Sequence, residues 1–82
     1  MIKKKFHVLK CGNDYLRFKH LGGGLITLTN SPFEAYQFDT QDDANMANQA
    51  IFTNISDYEF SDPAIKLENV FVVEVIVEEN KL

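Results

Sequence analysis

Val70-Phe71-Val72-Val73-Glu74-Val75-Ile76-Val77 constrains this chain more than any other stretch. Seven of its eight side chains are apolar and six are β-branched, a composition that crowds a helix and suits a pleated strand. Phe71, Val73, Val75 and Val77 fall on one face, and Val70, Val72, Glu74 and Ile76 on the other. With both faces so apolar, the run is expected in the interior of a sheet, flanked on either side. The rest of the chain must supply the flanking strands and a cover. At 82 residues there is room for one core, so residues 1–82 read as a single domain.

Strand-like alternation is also concentrated near the start. Phe6 to Cys11 reads as a first strand, and Gly12-Asn13-Asp14 tolerates the dihedrals of a hairpin turn. Tyr15 to Leu21 reads as a second strand, with Leu16 and Phe18 facing one way and Tyr15, Arg17 and Lys19 the other. Gly22-Gly23-Gly24 interrupts the chain before a third strand over Leu25–Thr29. Consecutive short connections favour an antiparallel meander.

Helix signals follow. Ser31, Pro32 and Glu34 have the spacing of a capping box, although the alternation of Tyr36-Gln37-Phe38 limits what they open to a short turn. Thr40 offers a second cap, with Asp42 and Asp43 suited to the positive end of a helix dipole. Ala44, Ala47 and Ile51, widened by Met46 and Ala50, give the stripe of a helix from Gln41 to about Phe52. Residues 53–68 read as an acidic loop with at most one helical turn. The expected fold is α+β: an antiparallel sheet of about four strands with one helix on one face, in the order β-β-β-α-β. Phe6, Val8, Leu16, Phe18, Ile26, Leu28, Phe38, Ala47, Ile51, Phe71, Val73 and Val75 are the expected core.

Charge and cysteine content narrow the function classes. Residues 1–20 carry six basic side chains against one carboxylate, and residues 21–82 carry two against eleven. Such asymmetry can orient a chain towards a charged partner, or the two ends can lie side by side and neutralise each other. One cysteine excludes an internal disulfide framework and any multi-cysteine zinc site. The apolar run after Lys3-Lys4-Lys5 is too short for a secretory core, and nothing approaches a membrane span, so the expected location is cytoplasmic.

Each candidate site has a plainer structural counterpart. The glycine triplet is followed by strand residues where a phosphate loop needs Lys-Ser/Thr and a helix, so a hairpin turn accounts for it better. His7 and Cys11 share strand parity, but four residues put them roughly 13 Å apart at ~3.3 Å per residue, and His20 has the opposite parity. No metal or cofactor is expected. Cys11 with a histidine and Asp14 has the residue types of a thiol nucleophile, yet single cysteines in small domains are mostly small hydrophobes. Lys3, Lys4, Lys5, Lys10, Arg17 and Lys19 around Tyr15 form a basic hairpin of the kind that holds single-stranded nucleic acid, against a pI of about 4.9. On the acidic side, Asp42, Asp43, Asp57, Glu59 and Asp62, with Tyr58 and Phe60 as anchors, have the types needed to occupy a basic groove on another protein.

The segment Ser31-Pro32-Phe33-Glu34-Ala35-Tyr36-Gln37-Phe38-Asp39-Thr40-Gln41-Asp42-Asp43-Ala44 resembles small accessory proteins of phages and mobile elements of Gram-positive bacteria. These pair a strand–turn–Tyr-Leu hairpin, here Phe6 to Leu16, with an Ala-x-x-Phe-x-Thr-x-x-x-Ala segment leading into a helix, here Ala35, Phe38, Thr40 and Ala44. The resemblance spans about half the chain, and the glycine triplet and acidic loop lie outside it. It implies no catalytic residues. It implies a phage-encoded inhibitor of a bacterial host or defence protein, of which anti-CRISPR factors are one kind, working in the host cytoplasm. The expected function is accordingly non-enzymatic protein binding. A nucleic-acid binder using the basic hairpin is the alternative, and a small enzyme centred on Cys11 comes third. The last strand could also pair across a homodimer.

Overall fold

The computed structural model describes residues 2–19, 23–62 and 65–79. They form strands β1 (Ile2–Cys11), β2 (Asp14–Arg17) and β3 (Gly24–Thr29), helix α1 (Gln41–Thr53), a short strand β4 (Tyr58–Phe60) and strand β5 (Val70–Glu79). Single 3₁₀ turns at Ile55–Asp57 and Leu67–Asn69 lead into the last two strands. The strands make one sheet in the order β4-β3-β2-β1-β5. β1, β2 and β3 form the expected meander, and β5 returns to pair antiparallel with β1 along its full length. β2 ends at Arg17, so Phe18 and Lys19, expected within the second strand, lie beyond it, and the rest of the predicted strand, residues 20–21, lies outside the described residues.

Two expectations about the sheet change. It has five strands and is mixed, because Tyr58–Phe60, expected within an acidic loop, pairs parallel with β3. A connection that crosses the sheet through a helix brings the chain back in the same direction, whereas a hairpin reverses it. Tyr58 and Phe60 pack on the main core while Glu59 stays exposed, a three-residue alternation too short to stand out in the sequence. The second change is the place of β5, which is an edge and not an interior strand. Its apolar density reports that both faces are covered or partly covered. It does not report a neighbour on each backbone edge.

Cross-strand partners share a face, so the pairing register sorts the side chains. His7, Leu9 and Cys11 of β1, Leu16 of β2, Ile26 of β3 and Val70 of β5 face α1. They close a core with Phe18, Phe38, Ala44, Ala47, Ile51 and Tyr58. On the other face a smaller cluster forms from Phe6, Val8 and Ala35, with Tyr15, Val73, Val75 and Val77 packed against it. Leu9, Cys11, Ala35, Ala44, Tyr58 and Val70 thus join the expected core. Phe71 leaves it, being 50% exposed, and Leu28, Val73 and Val75 are only half-buried. The changes at Phe71, Val73 and Val75 have one cause, since no described element lies beyond β5 to bury their outer side, whereas Leu28 lies on β3 and packs against the main core while staying partly exposed.

The link from β3 to α1 passes from one face of the sheet to the other. Phe33 meets Phe6 edge-on at 6.0 Å and Ala35 belongs to the small cluster, whereas Tyr36 stacks on Phe18 at 4.6 Å on the helix side. The Tyr36 N–H donates to the Leu16 carbonyl, and Phe38 exchanges two backbone hydrogen bonds of 2.8 Å with His7. The link therefore fills the space where β2 diverges from β1. The expected capping box takes another form. The Phe33 N–H reaches Ser31 Oγ, but Glu34 accepts a 2.9 Å bond from the Thr29 hydroxyl and does not turn back to Ser31. Thr29 Oγ1 also accepts from the Ser31 N–H, so one hydroxyl ties the turn to the end of β3.

α1 begins where the sequence places it. Thr40 is extended and its hydroxyl accepts from the Asp43 N–H at 3.1 Å. Ala44, Ala47 and Ile51 face the sheet, and the small alanines let the helix approach closely. Met46, expected to widen the buried stripe, is exposed. At the far end both the backbone N–H and the side-chain amide of Asn54 donate to the Ala50 carbonyl. Thr40→Ala removes the N-terminal cap and is expected to cost about 1 kcal/mol, read as a lower urea midpoint at unchanged slope.

Candidate functional site

Acidic residues of the α1–β4 half reach the surface in two places. Asp42 and Asp43 are exposed in the first turn of α1. Asp57 and Glu59 are exposed after its other end, and Asp62 is half-buried just beyond β4. A helix of this length, at ~1.5 Å per residue, holds the two groups roughly 20 Å apart. The predicted acidic residues thus form two groups, one towards each end of α1, and not a single cluster.

The predicted anchors behave differently from the carboxylates. Tyr58 is buried and Phe60 half-buried, both packed in the main core, so their rings hold β4 onto the domain. Three apolar residues not expected at a binding surface stand exposed instead. Met46 is 67% exposed on α1, Phe52 is 63% exposed near its end, and Ile55 is 51% exposed in the turn before β4. Met46 lies beside a shallow groove between α1 and the Tyr36–Asp39 segment, which Asp43 also lines. Helical periodicity separates Ala44 and Ala47 from the outer face, but an apolar side chain on that outer face carries no separate signature.

No lysine or arginine occurs between residues 20 and 65. The carboxylates of this half therefore have no cation of their own segment to pair with. β5 differs. Register sets Lys3 opposite Glu78, with Nζ 3.5 Å from Oε1, and places Glu74 3.7 Å from His7 Nε2. Lys3 thus lies beside a carboxylate of the last strand, while Lys4 and Lys5 stand opposite Val77 and Ile76, so part of the charge asymmetry closes within the fold. The exposed Lys3–Glu78 pair contributes little stability.

The remaining candidates take up structural places. Cys11 is buried in the main core, its Sγ 3.9 Å from the Lys66 carbonyl oxygen, which withdraws the thiol from solvent. His7 faces the same side, while His20 lies outside the described residues. Among the described residues no three metal-ligating side chains gather. Gly23 and Gly24 lead directly into β3, so no helix N-terminus follows them. Lys10 and Arg17 share the face away from α1 with Tyr15, and Lys10 Nζ sits 5.5 Å from the Tyr15 ring centre. Among the described residues no helix is long and apolar enough to cross a membrane. No protein-family model, curated protein or solved structure matches this chain.

Proposed function

We propose that this domain is a non-enzymatic binding module whose α1–β4 side occupies a basic surface on another protein. The observation that carries the reading is the pairing of exposed Asp42, Asp43, Asp57 and Glu59 with exposed Met46, Phe52 and Ile55 in a segment lacking lysine and arginine. Carboxylates of this kind steer encounter with a cationic groove, and apolar side chains among them supply contact area once it is reached. A groove shaped for phosphates has the charge to match, so its occupation by the domain would block nucleic-acid binding. The resemblance in residues 31–44 adds a bacterial host or defence protein as the partner class and an inhibitor, of the anti-CRISPR kind among others, as the role.

Capture of the tagged domain's partner from a Gram-positive lysate, with and without nuclease, tests this reading. One partner retained after nuclease is the expected result, and loss of all partners overturns it. Reversing Asp57, Glu59 and Asp62 to Lys is expected to weaken binding roughly tenfold or more, about 1.4 kcal/mol, with the circular dichroism spectrum unchanged. Unchanged affinity would remove this surface from the contact. The rival reading places nucleic acid on Lys3, Lys4, Lys5, Lys10, Arg17 and Lys19. A gel shift that occurs without other protein and falls steeply with salt would establish it in place of the acidic surface.

A further inference from the structure

β5 ends the sheet, and the polarity of its outer edge follows from hydrogen bonds on the far side of β1. The His7 N–H and carbonyl both bond to Phe38, so the backbone of His7 points away from β5. Directions alternate along an antiparallel strand, so Phe6, Val8 and Lys10 point their backbone groups at Val75, Val73 and Phe71. Val70, Val72, Glu74, Ile76 and Glu78 then present their N–H and carbonyl groups outwards, where no described strand pairs with them.

Protein edges of this length normally carry a device that prevents further pairing: a proline, a bulge, or charges along the strand. β5 has no proline, and its ten-residue register with β1 is unbroken, so it has no bulge there. Its carboxylates are Glu74, held towards His7, and Glu78 and Glu79 at its far end, so Val70–Val73 carries no charge. Phe71 and Ile76 are half exposed beside this open edge. The half of the edge from Val70 to Val73 thus carries none of these devices.

We infer that β5 pairs antiparallel with β5 of a second copy about a two-fold axis at Val73, giving a ten-stranded sheet. Only registers that join outward-pointing residues of both copies are allowed, which leaves few choices. An axis at Glu74 sets two carboxylates opposite each other. An axis at Val72 leaves Ile76 beyond the start of the partner's β5, and one at Val75 puts Val72 against Glu78. With the axis at Val73, Phe71 faces Val75, Val73 faces its own copy and Val70 faces Ile76. Glu74 is then opposite Val72 and not another acid. The self-complementarity of the strand is what makes a second copy the occupant, since an isologous contact needs the same patch to match itself. β4 and the acidic side stay at the outer ends, so this dimer does not depend on the proposed binding role and would present that surface twice.

Sedimentation of the wild-type domain over a concentration series is expected to show a monomer passing to a dimer. Val73 would form a non-hydrogen-bonded pair with its copy, whose Cα atoms lie about 4.5 Å apart, within the reach of a disulfide. In a Cys11→Ala background, Val73→Cys is expected to form a covalent dimer on mild oxidation. Val75→Cys is not, because the two copies of residue 75 lie roughly 13 Å apart along the strands. Glu74→Pro removes an outward N–H that the monomer does not use and is expected to leave a folded monomer. A monomer at every concentration overturns the inference. So does cross-linking of the Val75→Cys variant as readily as of the Val73→Cys variant, or a folded Glu74→Pro dimer. Should the proline variant not fold, the two cysteine variants decide.

Discussion

Val8→Asp is expected to abolish the cooperative unfolding transition, whereas Val73→Asp, its cross-strand partner, retains one. Val8 is completely buried on β1 between Phe6, Ala35 and the side chains of β5. A carboxylate there has no hydrogen-bonding partner and no water, and it must either stay neutral or unfold the domain. The penalty is several kcal/mol, against a total stability of roughly 4–12 kcal/mol for a chain of this length. Val73 pairs with Val8 in register but is half-buried on the edge strand, where a carboxylate can turn towards solvent. Its substitution is expected to cost only about 1–3 kcal/mol. The interior placement of the last strand suggested by its composition makes the opposite forecast, that Val73→Asp alone unfolds the protein. Urea titrations of the two variants followed by circular dichroism separate the two views. Two carboxylates at residue 73 would also separate the proposed dimer, so equal loss of the transition in both would mean that Val73 is fully covered within one copy.

Gly23→Val is expected to be the second most damaging substitution, and its effect should concentrate on β4. Gly23 has φ of +121°, and a Cβ there would lie 2.7 Å from the backbone carbonyl oxygen of Asp57. Backbone cannot swing aside as a side chain can, so the chain around Asp57 must move and carry the start of β4 away from β3. Strain at the dihedral adds about 1–3 kcal/mol to the clash. Gly12 provides the control. It begins the β1–β2 turn with φ of +63° but has open space around it, so Gly12→Ala carries only the dihedral cost. Hydrogen exchange should show amides of residues 58–61 losing protection in Gly23→Val but not in Gly12→Ala. Similar exchange in both would mean that the approach of Gly23 to Asp57 does not hold β4. Because Asp57 and Glu59 belong to the proposed binding surface, Gly23→Val should also weaken partner capture without changing a charge.

The candidate site was legible in part. Carboxylates are read directly from residue type, and Asp42, Asp43, Asp57 and Glu59 are indeed exposed. Their separation by a helix length was not legible, since it depends on how α1 lies between β3 and β4. The anchors were misassigned for a related reason. Tyr58 and Phe60 look like interface aromatics while their segment is taken for a loop, but once it is an edge strand Tyr58 is a core residue and Phe60 packs half-buried against it. Phe52 and Met46 are the reverse case, apolar residues that the helix turns outward.

Local information by itself determined the β1–β2–β3 meander, the start of α1 at Thr40 and the inward stripe of Ala44, Ala47 and Ile51. Each rests on interactions between residues close in sequence: turn dihedrals, a side chain capping an N–H three residues on, and the periods of strand and helix. Tertiary structure alone decided that β4 exists, that it runs parallel to β3, and that β5 stands at an edge. Those outcomes depend on which backbone edges remain unpaired after the meander has formed, and on where a crossing helix delivers the chain. Neither is a property of any local window. The apolar pattern of a strand records what covers its two faces, and it is silent on who holds its edges.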